Sequence, residues 1–138
     1  MQRWIRALAV LTMVALSTVA CGDDDPTPTA PSPPPTVTET FSGTVNRNGI
    51  VIHNFTTQAS GVVTATLTTL APDSELLVGL SLGTWNGTAC QLVITKTDAK
   101  QATVITGGVS ALGSLCVVIN DVGNIVNPIT YELTVVHP

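Results

Sequence analysis

Apolar and polar residues alternate with a period of two through most of the chain after residue 36. Val63, Ala65 and Leu67 fall on one face of such a segment, and the intervening Thr64 and Thr66 fall on the other. This alternation is typical of a strand in an antiparallel sheet, with one face packed on a core and one face in solvent. The same pattern at 76–82 and 131–135 indicates further strands of this type.

Segments rich in valine, isoleucine, leucine and threonine recur about every ten residues, which is typical of a sandwich or a barrel. We predict eight strands, over Thr38–Asn46, Gly49–Thr57, Gly61–Leu70, Leu76–Trp85, Cys90–Thr97, Ala102–Val109, Leu115–Asp121 and Ile129–His137. Turn-forming residues punctuate them at 46–49, Pro72–Ser74, Trp85–Gly87, Gly107–Gly108 and Gly123–Asn124. The sequence therefore predicts one all-β, antiparallel domain over residues 37–138, without a helical segment.

The residues before this domain resemble a bacterial lipoprotein signal peptide. Arg3 and Arg6 precede an apolar run that ends at Ala20, and Cys21 follows it directly. The run is shorter than the ~20 residues that a membrane-spanning helix needs. The resemblance implies a signal peptide over residues 1–20 and lipidation of Cys21, which would tie the mature chain to a membrane. Thr18 departs from the pattern, because lipoprotein signals usually carry leucine at that position. The alternative is an ordinary secretory signal cleaved near Ala20, which would leave Cys21 as a free thiol.

Residues 21–36 are predicted to form a linker. Proline is too dense there for a helix interior or a central strand and favours an extended polyproline II rod. At about 3.1 Å per residue, such a linker reaches roughly 45 Å. Gly22 follows the lipidated cysteine and Asp23 comes only third, so the inner-membrane retention signal that uses aspartate at the second position is missing. We therefore expect a lipid anchor at Cys21 in the bacterial cell envelope, in the outer membrane more than the inner one.

Charge narrows the range of partners. Without its first twenty residues the chain keeps three basic residues against nine acidic ones, a net charge of about −6. Nucleic acids and anionic lipid surfaces both require a basic footprint, so we expect no nucleic-acid partner. Charged residues make up only 10% of the chain and threonine is abundant, which suits an extracellular sheet whose outer faces carry hydroxyl groups.

Cys90 and Cys116 remain as a pair once Cys21 is assigned to lipid. In an exported chain this pair is predicted to form a disulfide. On the chain-entropy account, closing a loop of about 26 residues stabilises a domain by roughly 3 kcal/mol. No third or fourth ligand with metal-site spacing accompanies the pair, so we expect no zinc site.

Several segments resemble the bacterial pre-peptidase C-terminal domain. In order along the chain, a polar-aromatic strand, a glycine-led strand and a leucine-rich strand match Ile52–Phe55, Gly61–Leu67 and Leu76–Leu80. Two later strands of that family are similar to Gly113–Ile119 and Tyr131–Val135. The resemblance implies a β-sandwich of jelly-roll type that serves adhesion, substrate contact or processing beside secreted enzymes and surface proteins. Some relatives hold calcium through acidic residues near the first strand. Here only Glu39 is acidic in that region, so neither a metal nor a cofactor is expected.

The residues available for catalysis are few. Ser81, His53 and Asp121 supply the residue types of a catalytic triad, but no nucleophile elbow accompanies them. His53 is in phase with apolar strand neighbours and is expected to be hydrogen-bonded near the core, whereas His137 is expected at a frayed C-terminus. The remaining carboxylates that could form a glycosidase pair are expected in turns or on solvated faces: Asp73, Glu75, Asp98 and Glu132. We predict no catalytic residue and no enzyme activity.

Trp85 and Asn86 are the candidate ligand contacts. They are assigned to the loop Gly83–Thr88 that leads to Cys90. An exposed tryptophan can stack on a sugar or a peptide; beside a disulfide, however, it can instead cap the edge of the core. Asp121–Asn124 could offer oxygen atoms to a cation, but a hairpin turn is the preferred interpretation.

Three functions compete on these observations. The preferred one is a membrane-anchored, non-catalytic β-sandwich that binds or supports an extracellular or periplasmic macromolecule, either protein or polysaccharide. The second is a small hydrolase or carbohydrate-acting enzyme, against which the lack of a combined acid, base and nucleophile argues. The third is a purely structural envelope lipoprotein.

Overall fold

Eight β-strands and no helix form in the part of the chain that the computed structural model describes, which is residue 30 and residues 32–138. The strands are Val37–Val45 (β1), Ile50–Thr57 (β2), Gly61–Ala71 (β3), Val78–Trp85 (β4), Cys90–Ala99 (β5), Val104–Val109 (β6), Gly113–Asn120 (β7) and Ile129–His137 (β8). Each of them overlaps one predicted strand, so the all-β prediction is confirmed.

The strands form two antiparallel sheets of four. Sheet A has the order β1-β8-β3-β6, and sheet B has the order β2-β7-β4-β5. The first four strands therefore pair with the last four in reverse order, as in one long hairpin that has been rolled up. Eight antiparallel strands paired in this way form a jelly-roll sandwich. The predicted sandwich is confirmed.

The core lies between the two sheets, as the alternation of the sequence predicts. In β3, Val63 is 2% exposed and Ala65 and Leu67 are fully buried, while Thr64 and Thr66 are only partly buried on the other face. Every strand contributes at least one buried apolar side chain to the core. From β1 to β8, these include Val45, Phe55, Leu67, Leu80, Ala99, Ile105, Ile119 and Leu133.

Strand β4 is buried on both of its faces, which its sequence does not reveal. Val78, Leu80 and Leu82 point into the core, and Gly79, Ser81 and Gly83 are buried on the outer face. The Ser81 hydroxyl donates a hydrogen bond to the Thr95 hydroxyl on β5, at 3.2 Å. Small residues suit this outer face because the Asn120 side chain of β7 covers Gly79 and the backbone of β5 at Gln91 covers Gly83.

The predicted turn at Gly107–Gly108 is wrong. Both glycines lie inside β6 and pair in regular register with Val63 and Val62 of β3. The chain reverses three residues later, at 110–112, between β6 and β7. Two adjacent glycines are a common turn signal, but neither has the positive φ that would require glycine in a turn.

The disulfide Cys90–Cys116 joins β5 to β7 across the strand between them. Its two Cα atoms are 5.9 Å apart, whereas two strand spacings amount to about 9.5 Å. The start of β5 must therefore lean over β4. It does so at Gly83, where a Cβ atom would collide with the backbone carbonyl of Gln91. The predicted disulfide is confirmed, and Gly83 makes its path possible.

Replacing both cysteines with serine should destabilise the domain by about 3 kcal/mol, because the unfolded chain regains the entropy of the opened loop. For a domain of this size the loss corresponds to a Tm lower by about 10 °C or more. Thermal melting of the Cys90→Ser/Cys116→Ser chain, followed by circular dichroism, measures the change. Reduced wild-type protein serves as the control and should melt with the variant; a variant that melts with oxidised wild type would contradict the stabilising role.

Candidate functional site

Three turns lie together at one end of the sandwich, which we call the Trp85 end. They are residues 58–60, 86–89 and 110–112, which join β2 to β3, β4 to β5 and β6 to β7. The strand registers show this, since Thr57 pairs with Gly113 and Trp85 pairs with Cys90. Val37 and His137 pair at the same end, so the domain begins and its last strand finishes beside these turns.

A cleft of about 390 Å³ opens between the two sheets near the Trp85 end. It lies on the side where β5 and β6 are the edge strands, which we call the open edge. Leu82, Ile94 and Leu115 are among the side chains that line it. Val93 and Leu112 also line it and are 73% and 69% exposed, which places them at its mouth.

The lining of the cleft is suited to an apolar group. None of its residues carries a charge, and its polar side chains are the hydroxyls of threonine and serine. Its volume lies at the lower end of the range of about 300–1,000 Å³ that is usual for small-molecule sites. Contacts with large apolar side chains would be the main source of affinity, and hydroxyl groups would supply a few hydrogen bonds.

The turn beside the cleft is built by Asn86. Its side-chain Oδ1 accepts hydrogen bonds from the backbone N–H groups of Thr88 and Ala89, at 2.9 and 2.8 Å. Its own N–H donates to the Ala89 carbonyl. The side-chain Oδ1 atom of Asn86 thus holds the turn, and the Nδ2 group of the same side chain is the part that could contact a ligand.

Trp85 is the last residue of β4 and not a loop residue. It is half-buried and stands opposite Cys90, so alternation places it on the outer face of sheet B, next to the disulfide. Trp85 is therefore beside the disulfide, as expected, but on the face of sheet B that points away from the core. Its contact with a ligand stays a prediction.

The opposite side of the sandwich, where β1 and β2 are the edge strands, is closed by aromatic side chains. His53 of β2 stacks on Phe41 of β1, with ring centroids 4.8 Å apart and planes 15° from parallel. The His53 Nε2 atom shares a hydrogen bond of 2.8 Å with the Tyr131 hydroxyl of β8. Gly43 lies opposite Tyr131, where a Cβ atom would come within 2.7 Å of that hydroxyl. A glycine is therefore required for Tyr131 to reach His53.

Burial shifts both partners of this hydrogen bond toward their neutral forms. Desolvation lowers the pKa of His53 below its ordinary value of 6.5 and raises the pKa of Tyr131 above its ordinary value of 10.0. The prediction of a hydrogen-bonded strand histidine near the core is confirmed. A neutral His53 held by Tyr131 and Phe41 acts as a structural link between the sheets.

The expectation of a frayed position for His137 is wrong. This residue is 2% exposed within β8, and its ring lies 5.1 Å from that of Phe55. Its Nε2 atom lies 2.9 Å from the Glu39 carboxylate, and its Nδ1 atom lies 3.3 Å from the Pro138 carbonyl. Pairing of β8 with both β1 and β3 holds it in place.

The predicted hairpin at Asp121–Asn124 is also wrong, because β7 and β8 belong to different sheets and residues 121–128 cross between them. Asp121 Oδ1 accepts three backbone N–H bonds, from Gly123, Asn124 and Ile125. Asp121 Oδ2 accepts a fourth from Asn48 in the turn between β1 and β2. These bonds lower the pKa of Asp121. The carboxylate ties two loops together, with its oxygens occupied by N–H groups.

The other candidate catalytic residues are not brought together. Ser81, His53 and Asp121 each hydrogen-bond to different partners, and Ser81 is 1% exposed. Four carboxylates sit in exposed ion pairs, in turns or on a sheet face: Asp73, Glu75, Asp98 and Glu132. Among residue 30 and residues 32–138, no group of three or more histidine, cysteine, aspartate or glutamate side chains could hold a metal ion.

No protein-family model matches this chain, and no curated protein matches it. The resemblance to the pre-peptidase C-terminal domain therefore stays a prediction. Within the described residues, no helix is long and apolar enough to cross a membrane. Cys21, the signal peptide and all but the end of the linker lie outside those residues.

Acidification should weaken the domain through His53. Because its folded-state pKa lies below 6.5, the unfolded chain binds the proton more readily, and stability falls as the pH drops through 6.5 toward the folded-state pKa. Urea unfolding at pH 7.5 and pH 5 measures the loss. The His53→Gln variant retains a hydrogen-bonding group but does not titrate, so its midpoint should fall less over the same interval. Equal falls in both proteins would show that His53 does not contribute.

Proposed function

We propose that this chain is a lipid-anchored module of the bacterial cell envelope that binds another protein without catalysing a reaction. The observation that carries the proposal is the uncharged apolar cleft of about 390 Å³ at the open edge, close to the Trp85 end. A protein partner would insert large apolar side chains into this cleft, between the edge strands of the two sheets.

The exposure of the cleft mouth supports a binding role. Val93 of β5 and Leu112 of the turn after β6 line the mouth and are 73% and 69% exposed. Apolar side chains that cluster at the surface around a concave site mark interaction surfaces more often than isolated ones do. A polysaccharide would instead require several aromatic platforms, whereas Phe41, Phe55 and Tyr131 are all packed at the core or at the closed side.

The proposal includes no catalysis because of where the titratable side chains lie relative to the cleft. In the described part of the chain, the histidines are each bound to a tyrosine, a carboxylate or a backbone carbonyl, away from the cleft. The cleft itself offers hydroxyl groups but no base next to them. General acid–base catalysis needs a titratable group within hydrogen-bond reach of the reacting atom.

The anchor rests on the sequence around Cys21, with a basic start, a short apolar run and a small residue before the cysteine. A surface with a net charge of about −6 would favour a partner that is neutral or basic over nucleic acid. Lipid at Cys21 and a linker of about 45 Å would keep the domain near the envelope while leaving its cleft accessible.

Metabolic labelling tests the anchor. Cells fed a labelled fatty acid should incorporate it into the wild-type chain, and Cys21→Ser should remove the label, because the thiol is the acceptor. The Cys90→Ser/Cys116→Ser chain is the matched control and should keep the label. Equal labelling of wild type and Cys21→Ser would contradict a lipid at this position.

Site-specific photo-crosslinking tests the cleft. A photoreactive amino acid at Leu112, at the cleft mouth, should yield an adduct with another envelope protein in intact cells. Val126 is the matched control, since it is 79% exposed and lies in the connection at the opposite end of the sandwich. A charge placed at the mouth by Val93→Asp should reduce the Leu112 adduct at least about ten-fold, because burying an unpaired carboxylate is costly. Equal adducts from both positions, or no effect of Val93→Asp, would exclude the cleft as the binding site.

A further inference from the structure

Strand β6 has a free backbone edge with little protection against pairing. It is the last strand of sheet A, bonded to β3 on one side only. Its residues Val104–Val109 include no charge and no proline, and its register with β3 runs without a bulge. Natural sheets usually protect such edges with lysine, proline, bulges or a covering segment, because free N–H and C=O groups recruit further strands.

The other open-edge strand shows these protections. Strand β5 carries Lys96 and Asp98, which form an ion pair. Its register with β4 is interrupted twice, between Val78 and Leu80 and between Leu82 and Gly83. Both features work against the addition of another strand, whereas β6 has neither.

The glycines of β6 are not explained by the fold of a single copy. A Cβ atom at Gly108 would meet nothing within 4 Å, and Gly108 lacks a positive φ. At Gly107 the nearest atom would be the flexible end of Ile94, at 3.0 Å. Glycine weakens a strand interior and often marks a place where another backbone approaches closely.

We propose that β6 pairs with β6 of a second copy of this chain, in antiparallel orientation, about a two-fold axis at Thr106. In that register Thr106 faces Thr106 of the other copy. Ile105 then faces Gly107 of the other copy, and Val104 faces its Gly108. Each larger side chain lies opposite a glycine, and the two threonines at the axis can share a hydrogen bond.

The self-complementarity of β6 favours a second copy over an unrelated strand. A two-fold interface requires that residue i contacts residue j and that j contacts i. About Thr106, this symmetry sets the larger side chains at 104 and 105 opposite the two glycines of β6. No like charges come together, since β6 is uncharged. The proposal uses the backbone edge of β6 that points away from β3, and this edge borders the cleft.

Antiparallel pairing turns the second copy end for end, so the two Val37 residues lie at opposite ends of the dimer. Strand β1 has nine residues and spans about 30 Å. The predicted linker, about 45 Å when extended, exceeds that distance. Both copies could therefore be tethered to one membrane.

Disulfide trapping in the full chain tests the pairing. Directly opposed residues of an antiparallel pair have Cα atoms about 4.5–5.5 Å apart, which suits a disulfide. Thr106→Cys should therefore form a covalent dimer under oxidising conditions that is lost on reduction. Thr40→Cys, Asn54→Cys and Thr95→Cys are matched controls, each exposed on the outer face of another edge strand; each should give at least about ten-fold less dimer.

The register is tested with chains mixed in pairs. Val104→Cys alone should cross-link poorly, whereas a mixture of Val104→Cys and Gly108→Cys chains should cross-link well. Dimers from a control position at the level of Thr106→Cys would overturn the assignment to β6, and equal trapping by Val104→Cys alone would overturn the register.

A variant without added cysteine gives an independent readout. Thr106→Lys places two like charges at the two-fold axis while leaving an exposed residue of the single copy. Sedimentation of the detergent-solubilised full chain should show a dimer for wild type and for Thr40→Lys, and half that mass for Thr106→Lys. A monomeric wild type, or a Thr106→Lys chain as dimeric as wild type, would overturn the proposal.

Discussion

The short hairpin at Asn86 is the constraint on which the rest of the fold depends. It is the one connection, among the described residues, that joins consecutive strands within the same sheet. Every other pairing brings together strands that are far apart in sequence, and loop closure must be met before such contacts form. The side chain of Asn86 holds the turn, and Cys90–Cys116 clamps the strands next to it. The β4–β5 hairpin is thus the strand pair that needs the shortest loop to close.

Much of the fold was predictable because alternation, turn residues and an isolated cysteine pair are local signals. The strand bounds and the inward faces of β3 and β8 follow from them. Strand order does not, since apolar faces of different strands are chemically equivalent and pairing is decided by the whole chain. The turn predicted at Gly107–Gly108 is wrong for a related reason. A pair of glycines is a local turn signal, but this pair lies within an edge strand. His137 looked terminal, yet two strands and Glu39 hold it.

The candidate site was predictable only in part. Trp85 and Asn86 were identified as a tryptophan and a turn residue beside a cysteine, and the structure places them next to the disulfide. The cleft could not be predicted, because its lining comes from five strands that belong to both sheets. The His53–Tyr131 bond likewise joins residues 78 positions apart through the geometry of the closed side. A signal was present in Gly43, whose small size is explained only by the ring it faces.

The pairing of Val37 with His137 has a mechanical consequence. Strand β1 is the first strand of the domain and an edge strand, and its nine residues all pair with β8. A pull on Val37 directed along the axis of β1 would load the hydrogen bonds along its whole length together in shear, instead of opening them one after another. The Glu39–His137 bond lies close to the point where the force enters and joins the same two strands. The first strand of the domain is therefore also one whose full set of hydrogen bonds can resist a lengthwise pull together.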